Sequence, residues 1–391
     1  MPFSRRSFLG TLGLGATAAA VGFRGLERVA FAEPPRTPSP GGPILLNSNE
    51  NAYGIFPSVE KAALEGLRVA HRYPFRIYHD VVERIAAGNK VSPKQVLLGN
   101  GSTEVLAMAS RAFTGPGRKL IAAVPTFESS LAYSRDRGAQ VVEIPLTSTY
   151  AHDLDAMLAH AGCDTGLVYI CNPNNPTASL TPRRDIEAFL RKLPANTYVL
   201  IDEAYHHFAT GSPDYLSFID KPVDDPRVIV ARTFSKVYGM AGLRLGYSVA
   251  TPATTKLLQP WQLEDNGNMI ALHAALAALN DDAAMRAAVA RNAADRKEFT
   301  RQAAVRKLRA IPSYANFAMF ETGRPVRDVI KHFRADNIAV GRPFPRMENF
   351  VRVSFGTPDD MATFWRTWDK LPTLAKQESG LRSQESAAAN C

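Results

Sequence analysis

Five short segments bring together side chains that can do carbonyl and acid–base chemistry. Thr233-Phe234-Ser235-Lys236 offers two hydroxyls and an amine, which adds to a carbonyl once it has shed its proton. Asp202-Glu203-Ala204-Tyr205 closes a strongly apolar run with a carboxylate and a phenol. Pro173-Asn174-Asn175-Pro176-Thr177 leaves an asparagine amide between two prolines that restrict the backbone. Gly99-Asn100-Gly101-Ser102-Thr103-Glu104 leads from an apolar run into a helical pattern, so its backbone N–H groups form a site for an anion. Gly242-Leu243-Arg244-Leu245-Gly246 adds a guanidinium soon after the lysine. Taken singly, these are a turn, a helix cap, a solvated lysine and a salt bridge. Taken in order, they supply an amine, a carboxylate and a cradle for an anion.

The segments need a frame that carries them to one place. Short apolar runs recur at Val96-Leu97-Leu98, 119–124, 141–144, Leu167-Val168-Tyr169-Ile170, Tyr198-Val199-Leu200-Ile201 and Val228-Ile229-Val230, with amphipathic helical stretches between them. Helices are predicted at 102–113 and at 182–193, the second with Thr181 as N-cap and Pro182 in its first turn. This alternation predicts a mostly parallel sheet covered on both faces, with the active site at the carboxyl ends of its strands. An alanine-rich helical stretch with few breakers spans 254–309. Beyond Ile311, short strands and a helix near 325–335 predict a second α/β unit, which residues 44–69 help to build.

Bulk properties narrow the function classes. The 391 residues are 46% hydrophobic and 21% charged, an ordinary globular balance. The net charge of +9 is spread without a long basic block, which argues against a nucleic-acid partner. Cys163, Cys171 and Cys391 form neither a disulfide framework nor a metal-binding pair. His206-His207 are adjacent, so their side chains diverge, and no metal site is expected. At the N-terminus, Ser4-Arg5-Arg6-Ser7-Phe8-Leu9 resembles a twin-arginine export signature. A Gly/Ala/Leu-rich stretch and Ala30-Phe31-Ala32 follow it. Residues 1–32 are thus expected to be a signal peptide read by the twin-arginine machinery, which places the folded protein in the periplasm or outside the cell. Residues 33–42 read as a linker and 376–391 as a disordered tail.

From Leu46-Asn47-Ser48-Asn49-Glu50-Asn51 through Arg352-Val353-Ser354, the ordered set resembles the fold-type I pyridoxal-phosphate aminotransferases, in particular their histidinol-phosphate aminotransferase-like branch. The resemblance implies an α/β fold with a mostly parallel seven-stranded sheet between helices in a large domain at 73–255. It also implies an interdomain helix and smaller α/β domain at 256–375, which the N-terminal segment 43–72 joins. Pyridoxal 5′-phosphate would be held as a Schiff base on Lys236, with Asp202 holding the proton of the pyridine nitrogen. Asn175 and Tyr205 would hydrogen-bond the ring oxygen, and Phe127, in Pro125-Thr126-Phe127, would stack on the ring. The phosphate would lie on Gly101, Ser102 and Thr103, with Ser235 and Arg244 completing the cradle. Tyr73, in Arg72-Tyr73-Pro74, matches a residue that reaches the neighbouring subunit's phosphate, which implies a homodimer with shared active sites. Arg352 matches the arginine that grips the substrate's anionic group. Arg342, in Val340-Gly341-Arg342-Pro343, would be a second cation there, and Tyr53 would close over the site. The implied reaction moves an amino group from an anionic amine or amino acid, histidinol-phosphate-like or aromatic, to a 2-oxo acid such as 2-oxoglutarate.

The chain departs from that pattern at three places. Ala178 stands where the asparagine-proline-threonine motif usually ends in glycine, which matters if that backbone needs a positive φ. Phe127 replaces a common tyrosine, and Ala52 a common proline. Export also fits poorly with cytoplasmic histidine synthesis and points to a different donor. Two rivals share the scaffold: a decarboxylase of a phosphorylated amino acid, and a non-catalytic protein that binds the cofactor. A dehydrogenase is disfavoured, because no GxGxxG follows an early strand with an acidic partner downstream.

Overall fold

A computed structural model describes residues 42–222 and 225–372 of the chain. The export segment, the linker up to residue 41 and the tail lie outside the described residues. The strands, in chain order, are β1 (Ile44–Leu46), β2 (Val96–Gly99), β3 (Lys119–Val124), β4 (Val141–Pro145), β5 (Thr165–Cys171), β6 (Tyr198–Asp202), β7 (Val228–Thr233), β8 (Gly246–Val249), β9 (Phe317–Glu321), β10 (Ile338–Val340) and β11 (Phe350–Ser354). A seven-stranded sheet runs in the order β2-β8-β7-β6-β5-β3-β4. All its pairings are parallel except those of β8, which lies antiparallel to both β2 and β7. The fold is α/β, as expected.

Alternation of side chains across the sheet builds two cores at once. Ile121, Val168, Ile170, Val199, Ile201 and Val230 face one apolar cluster. Leu120, Leu167, Tyr169, Leu200, Ile229 and Ala231 face the other, against the helix Ser102–Phe113. Asp202 shares parity with Leu200, so its carboxylate lies on the Tyr169 side of the sheet. Glu203 points the other way and forms a buried ion pair with Arg232 of β7. Smaller sheets pair β1 with β10 and β9 with β11. Their cluster includes Leu46, Phe320, Phe333, Val353 and Phe364.

The six apolar runs all became strands, but the short β8, with a glycine and a serine among its four residues, carried no comparable run. One local expectation needs correction. Thr181 does not cap a helix: the helix is Arg183–Lys192, with Pro182 before it and no side-chain cap. Thr181 is buried, its N–H donates to Asn172 Oδ1 and its Oγ1 accepts from the His152 N–H at 2.9 Å, so its hydroxyl is already committed. The stretch 254–309 is helical, as expected, and divides into Pro252–Leu258, Met269–Asn280 and Asp282–Val305. Pro260 cannot donate, and Asn268 and Asp281 each cap the helix that follows. The bend between the first two is tied to Glu104, which accepts from the Leu263 N–H at 2.8 Å and from Asn266.

Candidate active site

The carboxyl ends of β2, β5, β6 and β7 converge with the segment after β1. Lys236 donates from Nζ to the carbonyls of Asn49 (3.1 Å) and Ser48 (3.4 Å), and sits 5.7 Å from the centre of the Tyr205 ring. Burial, reinforced by the Arg352 charge, lowers its pKa to about 8. Asp202 is almost fully buried. Its Oδ2 accepts from the Tyr169 hydroxyl at 3.0 Å and its Oδ1 from the Ala204 N–H at 3.1 Å. Burial raises its pKa to about 6, while those two donors pull it back down. The Tyr205 hydroxyl accepts from Asn49 Nδ2 at 3.0 Å, and burial pushes its pKa up.

Arg352 of β11 is 8% exposed. Its guanidinium donates to Asn175 Oδ1 and to the Asn47 carbonyl, each at 2.6 Å, and its Nε has no partner. Both acceptors are neutral, and among the described residues no carboxylate pairs with it. Phe317 and Phe344 flank the guanidinium at 5.5 and 4.8 Å. Burial lowers its pKa to about 10. Asn175 thereby spends its oxygen on Arg352 and keeps its N–H groups for another acceptor.

The anion cradle is backbone set against backbone. Gly101, at φ +74°, precedes the helix Ser102–Phe113 and has no side chain to cap it, so the N–H groups of Ser102 and Thr103 face outward. A Cβ on Gly101 would run into the Arg244 guanidinium, and one on Gly246 into the Ser102 backbone. Arg244 donates to the Ala241 carbonyl (2.9 Å) and to Ser235 Oγ (3.4 Å), which also accepts from Thr233. Thr126 donates to Asn174 Oδ1 at 2.8 Å and so ties the Phe127 loop to the asparagine-proline turn. Ala178 in that turn has φ +59° and is fully buried, so the left-handed backbone usually given to glycine is kept here at a cost of about 1 kcal/mol.

Lys236, Asp202, Tyr205, Asn175 and Arg352 thus gather at one place, and Gly101, Ser102, Thr103, Ser235 and Arg244 form the cradle. Of the remaining expected residues, Tyr73 and Tyr53 stand apart, whereas Arg342 shares the Phe344 ring with Arg352. Tyr73 is 70% exposed, stacked on Phe75, and makes no contact with this group within one chain. Tyr53 donates to Asp295 at 3.2 Å beneath Arg291, on the helix Asp282–Val305, and not toward Arg352. Arg342 is half-exposed and ion-paired to Glu128 at 2.6 Å. His206 is buried and His207 half-buried, and their rings do not diverge as expected but lie 4.0 Å apart.

A family model for aminotransferase class I and II matches residues 42–366. The chain belongs to this family. It is 37% identical over 325 residues to histidinol-phosphate aminotransferase 2 of Carboxydothermus hydrogenoformans, covering 82% of this chain and 88% of that one. It is 33% identical over 342 residues to the histidinol-phosphate aminotransferase of Shouchella clausii, covering 85% and 90%. A solved structure of histidinol-phosphate aminotransferase from Sinorhizobium meliloti, in complex with pyridoxal-5′-phosphate, superposes with a TM-score of 0.78 at 28% identity, covering 84% of this chain and 91% of that one.

This class I and II aminotransferase uses pyridoxal 5′-phosphate, and its residues fit the group. Among the described residues Asp202 is a buried carboxylate with no cation paired to it, which suits a protonated pyridine. The glycine-walled cradle suits a phosphate. Three partners escaped the sequence reading. Tyr169 had a signal, because a tyrosine in an otherwise aliphatic strand needs somewhere to put its hydroxyl. Asn49 and Ser354, joined through the Asn49 N–H at 2.8 Å, had none, because they are far apart in the chain.

Proposed function

We propose that this aminotransferase takes its amino group from a donor whose anionic group seats on Arg352, and passes it to a 2-oxo acid. The buried guanidinium, satisfied only by neutral oxygens, supports this reading: a planar fork with no anion of its own suits a carboxylate or phosphate. When bound, the cofactor supplies an aldehyde that captures amines and a ring that accepts the electron pair left on the donor's α-carbon. Lys236 holds the cofactor and, once released, carries the proton away from that α-carbon; its lowered pKa suits a base working near neutrality. Asp202 keeps the ring nitrogen protonated. Asn175 and Tyr205 donate to the ring oxygen, and Phe127 covers the ring face. The N–H groups at Ser102 and Thr103, with Ser235 and Arg244, hold the phosphate. Tyr73, exposed here, reaches the cradle of a second copy in a homodimer.

The names of the relatives support histidinol phosphate or a similar amine as donor, and an aromatic amino acid satisfies the same anchor. We also read residues 1–32 as an export segment that delivers the folded enzyme to the periplasm, on the strength of Arg5-Arg6 and Ala30-Phe31-Ala32. The test is an absorbance screen of the cofactor-loaded protein against amines, phospho-amines and amino acids. The expected result is loss of the visible cofactor band with donors that carry an anion and not with simple alkylamines. Equal response to both would remove Arg352 from its role, and carbon dioxide release in place of amino transfer would favour decarboxylation.

Tyr169 supports Asp202 in this reading. In Tyr169→Phe the lost O–H donor lets the carboxyl pKa rise, so the ring nitrogen keeps its charged partner over a narrower range. The spectroscopic pH titration of the bound cofactor should shift by roughly half a unit to one unit, the size expected for one hydrogen bond to a charged group. An unmoved titration would leave Tyr169 as packing only.

A further inference from the structure

We infer that Glu128 is a specificity-determining residue: by pairing with Arg342 it cancels the second positive charge beside Arg352, so the enzyme favours donors whose anionic group carries one charge, a carboxylate, over doubly charged phosphate monoesters. The inference rests on the aminotransfer reading above and names its substrate class.

The groups form one array. Arg352 lies inside at 8% exposure, and Phe344, itself buried, carries the Arg352 guanidinium at 4.8 Å and that of Arg342 at 4.5 Å from its ring centre. Arg342 is outermost, and its Nη2 donates to Glu128 Oε2 at 2.6 Å. Both charges reach Arg352: the Arg342 cation disfavours its protonated form and the Glu128 carboxylate favours it.

Position in the chain puts Glu128 at the site. It directly follows Phe127, and it precedes the helix Ser129–Asp136 without capping it. A carboxylate there would ordinarily turn toward the helix N–H groups. This one reaches across to Arg342 instead.

The consequence is electrostatic. Two uncompensated guanidiniums across one aromatic ring would suit a dianion. With Glu128 in place, one guanidinium is left for a single carboxylate, and a phosphate monoester must approach a like-charged carboxylate at the rim. Charge pairs at a half-exposed rim are screened by water, so the discrimination is about tenfold rather than absolute.

The test compares holoenzyme kcat/KM for L-phenylalanine and for histidinol phosphate, each with 2-oxoglutarate, in wild type, Glu128→Gln and the Glu128→Gln/Arg342→Gln double variant. Inhibition by inorganic phosphate is read alongside, and the cofactor band confirms folding. The wild type should prefer the amino acid. Glu128→Gln should shift the ratio about tenfold toward the phosphate ester and tighten phosphate inhibition by a similar factor. The double variant should lose both gains. A wild type that prefers the phosphate ester, or a ratio unmoved by Glu128→Gln, overturns the inference while leaving aminotransfer intact. If no donor alters the cofactor band of the wild type, the aminotransfer reading fails first and takes the inference with it.

Discussion

Lys236→Ala should leave a folded protein without the absorption of covalently held cofactor, and should lower amino transfer by roughly four orders of magnitude. Two roles would end together, because in the proposed function the same nitrogen anchors the cofactor and moves the proton. Wild-type Lys236 makes a further pH prediction. With its pKa lowered to about 8, about a tenth of the amine is unprotonated at pH 7, far more than an ordinary lysine offers. Only the unprotonated form adds to an aldehyde. Cofactor-free wild type should therefore take up the cofactor faster as pH rises, close to tenfold per unit, and level off above about pH 8. Stopped-flow absorbance measures this directly. A rate still climbing at pH 10 would mean that the environment of Lys236 has been misread.

Asp202→Asn should be the next most damaging change, lowering turnover by about two to four orders of magnitude, because an amide cannot offset the charge of a protonated ring nitrogen. Stability should move the other way. The carboxyl pKa is raised from 3.8 to about 6 by burial, so the cofactor-free fold favours the protonated form. That contribution is fully present below about pH 4 and lost as pH rises through about 6. At pH 8 the wild type holds a desolvated charge that the amide does not. Cofactor-free Asp202→Asn should then be more stable by up to about 3 kcal/mol in urea unfolding, and the advantage should vanish near pH 4. An equally stable wild type at pH 8 would show that Tyr169 and the Ala204 N–H already solvate the carboxylate in full.

What could be read from the chain, and what could not, divides by the range of the interaction. The strands under Asp202 and Lys236 announce themselves through continuous β-branched and aliphatic runs, because both faces of a parallel sheet are buried. Asp202 is legible because it closes such a run, and Asn175 and Lys236 because they lie in the short segments that follow β5 and β7. Arg352 and Arg342 came only through likeness to a family, and spacing could not tell that one would be bare and the other paired. Nothing in the sequence singled out Glu128. Thr181 had the right type and position for a cap, yet a buried histidine far from it in sequence claimed its hydroxyl. Local rules name what a residue can do, and tertiary partners decide which option is taken.

The order of the site's parts along the chain has a consequence for biosynthesis. Every strand of the seven-stranded sheet and every residue of the cradle has been made by the time Val249 leaves the ribosome. Arg352 and Ser354, which close on Asn47 and Asn49 from the first described strand region, come much later. A nascent or prematurely ended chain would thus own the groups proposed to hold the cofactor before it owns the arginine proposed to choose the amine. Until the last strand docks, such a chain would lack the proposed anchor for the donor.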